Sequence, residues 1–291
     1  MNFETLVVTN KEGVLIVELC RPQALNAFTI QMGSELVHLF EAASEDDDVG
    51  AIILTGNGKA FCAGMDLSAE GNVFGLDESL NPSLADLNSH YDEPAYVGGV
   101  RDSGGRVTLS MYDCKKPIIV ALNGAAVGIG ATMTLAADIR LASTKARIGF
   151  VFGKIGVTPE ACSTWFLPRI VGMSTALEWV YSGDILSAED AIKGGLVSKI
   201  YEPDNLMLEA ETLARKFIAN RSPVAIALAR QMMYRNSAMD HPREAHKVDS
   251  LAIYYCSLDD GKEGVSAFLE KRDPQFKDKA SAMPDFYPWW D

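Results

Sequence analysis

Two continuous apolar runs, each emptying into a glycine-rich turn, constrain this chain most. Ala51-Ile52-Ile53-Leu54 leads into Gly56-Asn57-Gly58-Lys59-Ala60-Phe61-Cys62-Ala63-Gly64-Met65-Asp66-Leu67. Pro117–Leu122 leads into Asn123-Gly124-Ala125-Ala126-Val127-Gly128-Ile129-Gly130-Ala131. A short run that is apolar at every position suits a strand buried on both faces, as in a parallel sheet. Ile139–Ala142 is a shorter third run. Leu6–Thr9 and Val14–Leu19 read as a hairpin around Asn10–Gly13, and Thr29 caps a helix reaching about Ala43. Ile30, Met32, Leu36, Val37, Phe40 and Ala43 are that helix's apolar positions. The first half therefore alternates strands and helices, an α/β pattern.

The rhythm breaks between about Ser68 and Arg106, a stretch rich in Gly, Asp, Ser, Asn and Pro. A structureless loop of that length is unusual in a compact domain, so a functional lid or insertion is expected. After Thr158 the chain becomes mostly helical. Thr158-Pro159 reads as an N-cap followed by Pro at the first helical position. Ser187-x-x-Asp190 resembles a capping box, and Gly194-Gly195 stops the helix it opens. Amphipathic stretches follow at about Asp204–Asn220, Pro223–Arg235, Arg243–Ser257 and Lys262–Arg272. The expected organisation is a core over residues 1–200, with the insertion at about 68–106, and a C-terminal helical region over 201–291.

Charge and composition narrow the partners. The 291 residues carry 26 basic and 39 acidic side chains, a net charge of −13 that repels nucleic acid and anionic membrane surfaces. A few placed Lys or Arg can still hold a small phosphate-bearing molecule. The five cysteines form no C-x-x-C pair and read as reduced thiols, and the four histidines show no metal-ligand spacing, so no metal is expected. No run approaches the ~18 apolar residues of a membrane span. The beginning Met1-Asn2-Phe3-Glu4 and the end Pro288-Trp289-Trp290-Asp291 carry no recognisable address, which makes the expected compartment cytoplasmic.

Three segments can carry chemistry. The first glycine-rich segment, read alone, is a plain turn leaving a sheet. The second opens a helix of small residues, where unsatisfied N–H groups and the dipole suit an oxyanion or a phosphate; close helix–sheet packing explains it equally well. It lacks the third glycine of a dinucleotide loop. Together, the two turns can each aim one backbone N–H at the same oxygen. Losing one such donor typically costs about 3–4 kcal/mol of transition-state stabilisation. The third segment is Gly156-Val157-Thr158-Pro159-Glu160-Ala161-Cys162-Ser163-Thr164-Trp165. Placed in a helix's first turn, Glu160 would feel the dipole favouring its anion and burial favouring its acid form; read alone, it is a surface residue complementing the dipole. His90 reads as a solvated loop residue, and Ser163 and Thr164 have no visible His-Asp partners.

With these segments in place, the chain resembles the crotonase superfamily, the enoyl-CoA hydratase/isomerase family. The likeness runs from Arg21-Pro22-Gln23-Ala24-Leu25-Asn26-Ala27 to Gly264-Val265-Ser266-Ala267-Phe268-Leu269-Glu270-Lys271-Arg272. It implies a spiral of ββα units with a C-terminal helical region used in trimerisation or in covering the site. It implies a homotrimer or homohexamer, an acyl-CoA substrate, and no cofactor beyond the coenzyme A of that substrate. The thioester oxygen is then held by the N–H groups of Met65 and Ile129. Ala24, Ala63, Asp66, Leu67 and Gly128 fall along the substrate channel, and Lys271 falls where relatives approach the CoA phosphates. Phe150, Phe152 and Trp165 are candidates for an acyl pocket, with core packing the competing explanation.

Departures from the family pattern point to the reaction. Two-glutamate hydratases carry acids where this chain has Thr132 and Phe152. Relatives resembling peroxisomal-type enoyl-CoA isomerases carry one acid in a Pro-Glu-x-x-Ser segment, matched here by Pro159-Glu160-Ala161-Cys162-Ser163. The expectation is a 3-enoyl-CoA to 2-trans-enoyl-CoA isomerase with Glu160 as acid/base. The alternatives are a hydratase or lyase using Glu160 and water, nucleophilic chemistry as in aromatic acyl-CoA dehalogenases, and a silent acyl-CoA-binding module.

Overall fold

A hairpin starts the structure, a computed structural model that describes residues 3–68 and 70–290. Strand β1 (Leu6–Lys11) pairs antiparallel with β2 (Val14–Leu19), Leu6 facing Leu19 and Lys11 facing Val14. The chain reverses through Glu12 and Gly13, both at positive φ, the geometry that matches the twist of a tight hairpin. From β2 the sheet grows by parallel pairing through β3 (Ala51–Gly56), β5 (Ile118–Leu122), β7 (Ile139–Ser143) and β10 (Lys199–Tyr201). Every residue of β3 and β5 is buried, which is why both read as unbroken apolar runs.

A second sheet of three-residue strands stands behind the first. It orders β4 (Ala60–Cys62), β6 (Ala125–Val127), β8 (Arg147–Gly149) and β9 (Ile185–Ser187). Strands β3, β5 and β7 thus each continue into a short strand of the second sheet, β4, β6 and β8, and then into helix. That succession is the expected spiral of ββα units. Strands β4 and β6 lie inside the two glycine-rich segments, and three residues are too few for an alternating pattern to register in any of the four.

The helices fill the spiral. Helix α1 (Ile30–Glu45) is capped by Thr29, whose hydroxyl accepts from Met32 N at 3.1 Å. Its buried face is Met32, Leu36, Leu39, Phe40 and Ala43, while Ile30 is exposed. The insertion is not structureless: it holds α2 (Leu84–His90) and α3 (Pro94–Gly99), neither with a buried residue. Local caps form α2, Ser83 and Asp86 making a capping box, so no apolar stripe marked it. The insertion ends at Asp102, the N-cap of α4 (Ser103–Asp113), which packs into the core against α1. Next come the single turn α5 (Ile129–Thr132), α6 (Ser163–Val171) and α7 (Met173–Ser182), then α8 (Ala188–Lys193) with its expected Ser187–Asp190 capping box.

The C-terminal region does two jobs. Helix α9 (Pro203–Ile218) covers the outer face of the six-stranded sheet, where Leu206, Ala210 and Ala214 meet Val14, Ile53, Ile119 and Leu141. Helix α10 (Pro223–Asn236) is pinned by Arg230, which donates to the Met111, Tyr112 and Cys114 carbonyls and pairs with Asp138 at 3.0 Å. Helices α11 (Pro242–Cys256) and α12 (Asp260–Glu270) follow and leave Ile253, Tyr254, Val265, Phe268 and Leu269 exposed. Among the described residues, no helix is long and apolar enough to cross a membrane.

Candidate active site

The two glycine-rich loops meet because their strands β4 and β6 pair, Ala60 with Ala125 and Cys62 with Ala126. Glycine is required at the seam. Gly64 has φ +115 and a Cβ there would stand 3.3 Å from the Val127 carbonyl oxygen; a Cβ at Gly130 would collide with the Cys62 carbonyl. Gly128, at φ +55, turns the chain out of β6 and donates to Gly149 O at 2.9 Å. The neighbouring peptides are tied down: Phe28 N donates to Gly64 O, and Asp66 N donates to Phe28 O, each at 2.8 Å. The N–H groups of Met65 and Ile129 donate to no acceptor among the described residues. They are two free backbone donors on adjoining turns. Helix α5 is only one turn long, so these N–H groups, rather than a long helix dipole, are what the second loop offers an anion.

Arg21 locks the first loop to the chain before α1. Its guanidinium donates to Ala27 O at 2.6 Å and pairs with Asp66 at 2.8 Å. Hydrogen bonds from Ser68, then Arg21, hold the Asp66 carboxyl down at about 2. Ala24 sits half-buried in the 3-10 turn Pro22–Ala24, Ala63 N donates to Leu25 O at 3.1 Å, and Leu67 is exposed. The 3-10 turn at Ala24, the Ala63–Asp66 segment and the Gly128–Ile129 turn are thus tied together through Arg21, Phe28 and the β4–β6 pairing.

Glu160 reaches the same place, by a different local structure from the one expected. It does not lie in the first turn of a helix. Ala161 and Cys162 take left-handed conformations, φ 58 and 53, and α6 starts only at Ser163. The turn carries the Glu160 side chain to α5, where Thr132 Oγ1 donates to Glu160 Oε1 at 2.6 Å. On the other side, a Cβ at Gly104 of α4 would collide with Glu160 Oε2 and with the Ile129 Cδ1. The carboxyl is therefore wedged between α4 and α5. Burial raises its pKa to about 8; the Thr132 hydrogen bond lowers it, and the nearby Asp102 charge raises it again.

The aromatic candidates separate. Phe150 stacks on Trp179 at 6.1 Å and Phe152 is buried, both within the main core. Trp165 is half-buried, edge-on to Tyr112 at 5.8 Å, with the Arg169 guanidinium over its ring at 3.9 Å. Lys271 stands apart as the exposed left-handed cap of α12. His90 ends α2 and pairs with Glu93 at 2.7 Å. Asp102 and Gly104 escaped the sequence reading. Their only mark is an Asp before small residues, Asp102-Ser103-Gly104-Gly105, hidden at the end of the insertion.

The enoyl-CoA hydratase/isomerase family model matches residues 9–279. The chain is 36% identical over 270 residues to enoyl-CoA hydratase ACTT3 of Alternaria alternata, covering 92% of this chain and 84% of that protein. It is 33% identical over 279 residues to 1,2-epoxyphenylacetyl-CoA isomerase of Escherichia coli K12, covering 92% and 97%. The crystal structure of an enoyl-CoA hydratase subunit I from Geobacillus kaustophilus superposes with a TM-score of 0.78 at 31% identity, covering 94% and 98%. The chain belongs to the enoyl-CoA hydratase/isomerase family, within the crotonase superfamily, whose members act on acyl-CoA thioesters.

Proposed function

We propose that this protein shifts the double bond of a 3-enoyl-CoA to give the 2-trans-enoyl-CoA, with Glu160 as the single acid/base. One observation carries the reading: the Glu160 carboxyl is held at the oxyanion loop by Thr132, one of the positions where two-glutamate hydratases carry an acid. Phe152, the other such position, lies in the core and cannot move a proton. Glu160 takes the proton from C2, and the electrons pass into the thioester. Met65 N–H and Ile129 N–H stabilise the enolate oxygen. The protonated carboxyl then delivers the same proton to C4, and the double bond moves from C3=C4 to C2=C3. A raised carboxyl pKa makes Glu160 a stronger base than an exposed glutamate.

The same reading places CoA along Ala24, Ala63, Asp66 and Leu67, with Lys271 toward its phosphates and Trp165 on the acyl side. The exposed apolar residues of α11 and α12 support assembly as a homotrimer or homohexamer. Hydration by Glu160 and a bound water is the second reading, favoured by Asp102, an exposed second carboxylate beside Glu160. The test follows 3-hexenoyl-CoA and 2-hexenoyl-CoA separately with the purified protein. Bond shift without comparable water addition is the expected result. Water addition without bond shift makes the protein a hydratase, and neither reaction with retained thioester binding removes Glu160 from this chemistry.

A further inference from the structure

We propose that Asp102 is a positioning residue for Glu160: from the N-cap of α4 it anchors the turn that presents Glu160, and its charge makes the Glu160 carboxyl a stronger base. The first half is geometric. Asp102 Oδ1 accepts from Ala161 N at 3.1 Å, the peptide N–H directly after Glu160, and also from Gly105 N in the first turn of α4. Ala161 and Cys162 are consecutive non-glycine residues at positive φ, a costly conformation that persists only where its surroundings enforce it. The Asp102–Ala161 bond and the Ser163 N to Glu160 O bond at 3.0 Å brace this turn from both sides.

The second half is electrostatic. Two carboxyl groups that share a site do not both ionise easily. Asp102 is exposed, whereas the Glu160 carboxyl is closed in by Gly104, Ile129 and Thr132, so the neighbouring carboxylate raises the proton affinity of a group that water does not shield. Burial first, and the Asp102 charge and hydrogen bond in addition, lift Glu160 to about 8 against the lowering by Thr132. Thr132 Oγ1 also lies 3.3 Å from Gly128 O. A protonated Glu160 can therefore donate to Thr132 Oγ1, whose own hydroxyl then donates its hydrogen bond to Gly128 O. The other titratable groups facing Glu160 do not compete. Burial pushes the Cys62 thiol up to about 12 and raises Cys162 as well, so both stay neutral. Arg101 is paired with Asp92 at 3.2 Å and stacked over Tyr91.

The inference rests on Glu160 being the working acid/base, yet its readout needs no turnover. Infrared spectra are taken against pH on the full-length protein, and the protonated-carboxyl band that Glu160→Gln removes is followed. In wild type the band should persist to about pH 8. In Asp102→Asn, which keeps an oxygen for Ala161 N but loses the charge, its midpoint should fall by about one pH unit or more. Should Asp102→Asn fail to fold, Asp102→Ser retains a side-chain cap for α4 and should show the same fall. An unchanged midpoint in the folded variant, or no such band at pH 7 in wild type, overturns the proposal. A protein that shows the band and its shift but moves no double bond keeps the Asp102–Glu160 relationship and loses the isomerase reading.

Discussion

Thr132 Oγ1 donates to Glu160 Oε1 at 2.6 Å, so the single-turn helix α5 holds the buried carboxyl from one side. The hydroxyl favours the Glu160 anion, while burial opposes it. A hydrogen bond to a charged group contributes about 1.5–3 kcal/mol. Thr132→Val is therefore expected to move the acid limb of the kcat/KM profile to higher pH and to lower the rate at neutral pH by about tenfold. An unshifted limb would show that Thr132 does not hold the working carboxyl.

Glu160 also makes a signed prediction for stability. Its folded-state pKa stands at about 8, above the ordinary carboxylate range it has when unfolded. Between those values the native protein binds the extra proton, so stability falls as pH rises. Glu160→Gln cannot titrate. Its melting temperature should draw ahead of wild type as pH climbs from the carboxylate range to about 8, then hold that lead. Melting curves of both proteins across this range check it; parallel pH dependence contradicts the buried-acid account.

Gly104 has no room for a side chain, because a Cβ would collide with Glu160 Oε2 and the Ile129 Cδ1. Gly104→Ala should cost about 1–3 kcal/mol of stability through overpacking and displace the carboxyl. The expected kinetic result is a fall in kcat of about 10² with KM changed much less, since a small misplacement of the reacting group is costly. A variant that melts lower but turns over normally would separate Gly104 from the site.

How much of this was legible in the chain differs by element. The apolar runs at Ala51–Leu54 and Ile118–Leu122 marked buried parallel strands because both faces are covered. Ser187 and Asp190 marked a helix start by their chemistry alone. The second sheet was invisible, since its strands are three residues long and two of them, β4 and β6, lie in glycine-rich segments. Thr158-Pro159 looked like a helix start, but the left-handed Ala161 and Cys162 delay the helix to Ser163. The contacts that enforce this turn come from Asp102, 59 positions away, and no local propensity could announce them. The backbone donors Met65 and Ile129 were traceable through their flanking glycines. Gly104 and Asp102 were not, because their role exists only once α4 crosses Glu160.

The most direct test of the central claim compares wild type with Glu160→Gln on 3-hexenoyl-CoA at pH 8, near the raised pKa of Glu160. Gln keeps the shape of the side chain and cannot move the proton. A loss of kcat by about 10² or more with thioester binding retained is the predicted result. Turnover within a few-fold of wild type would contradict the claim and move the proton transfer to another group.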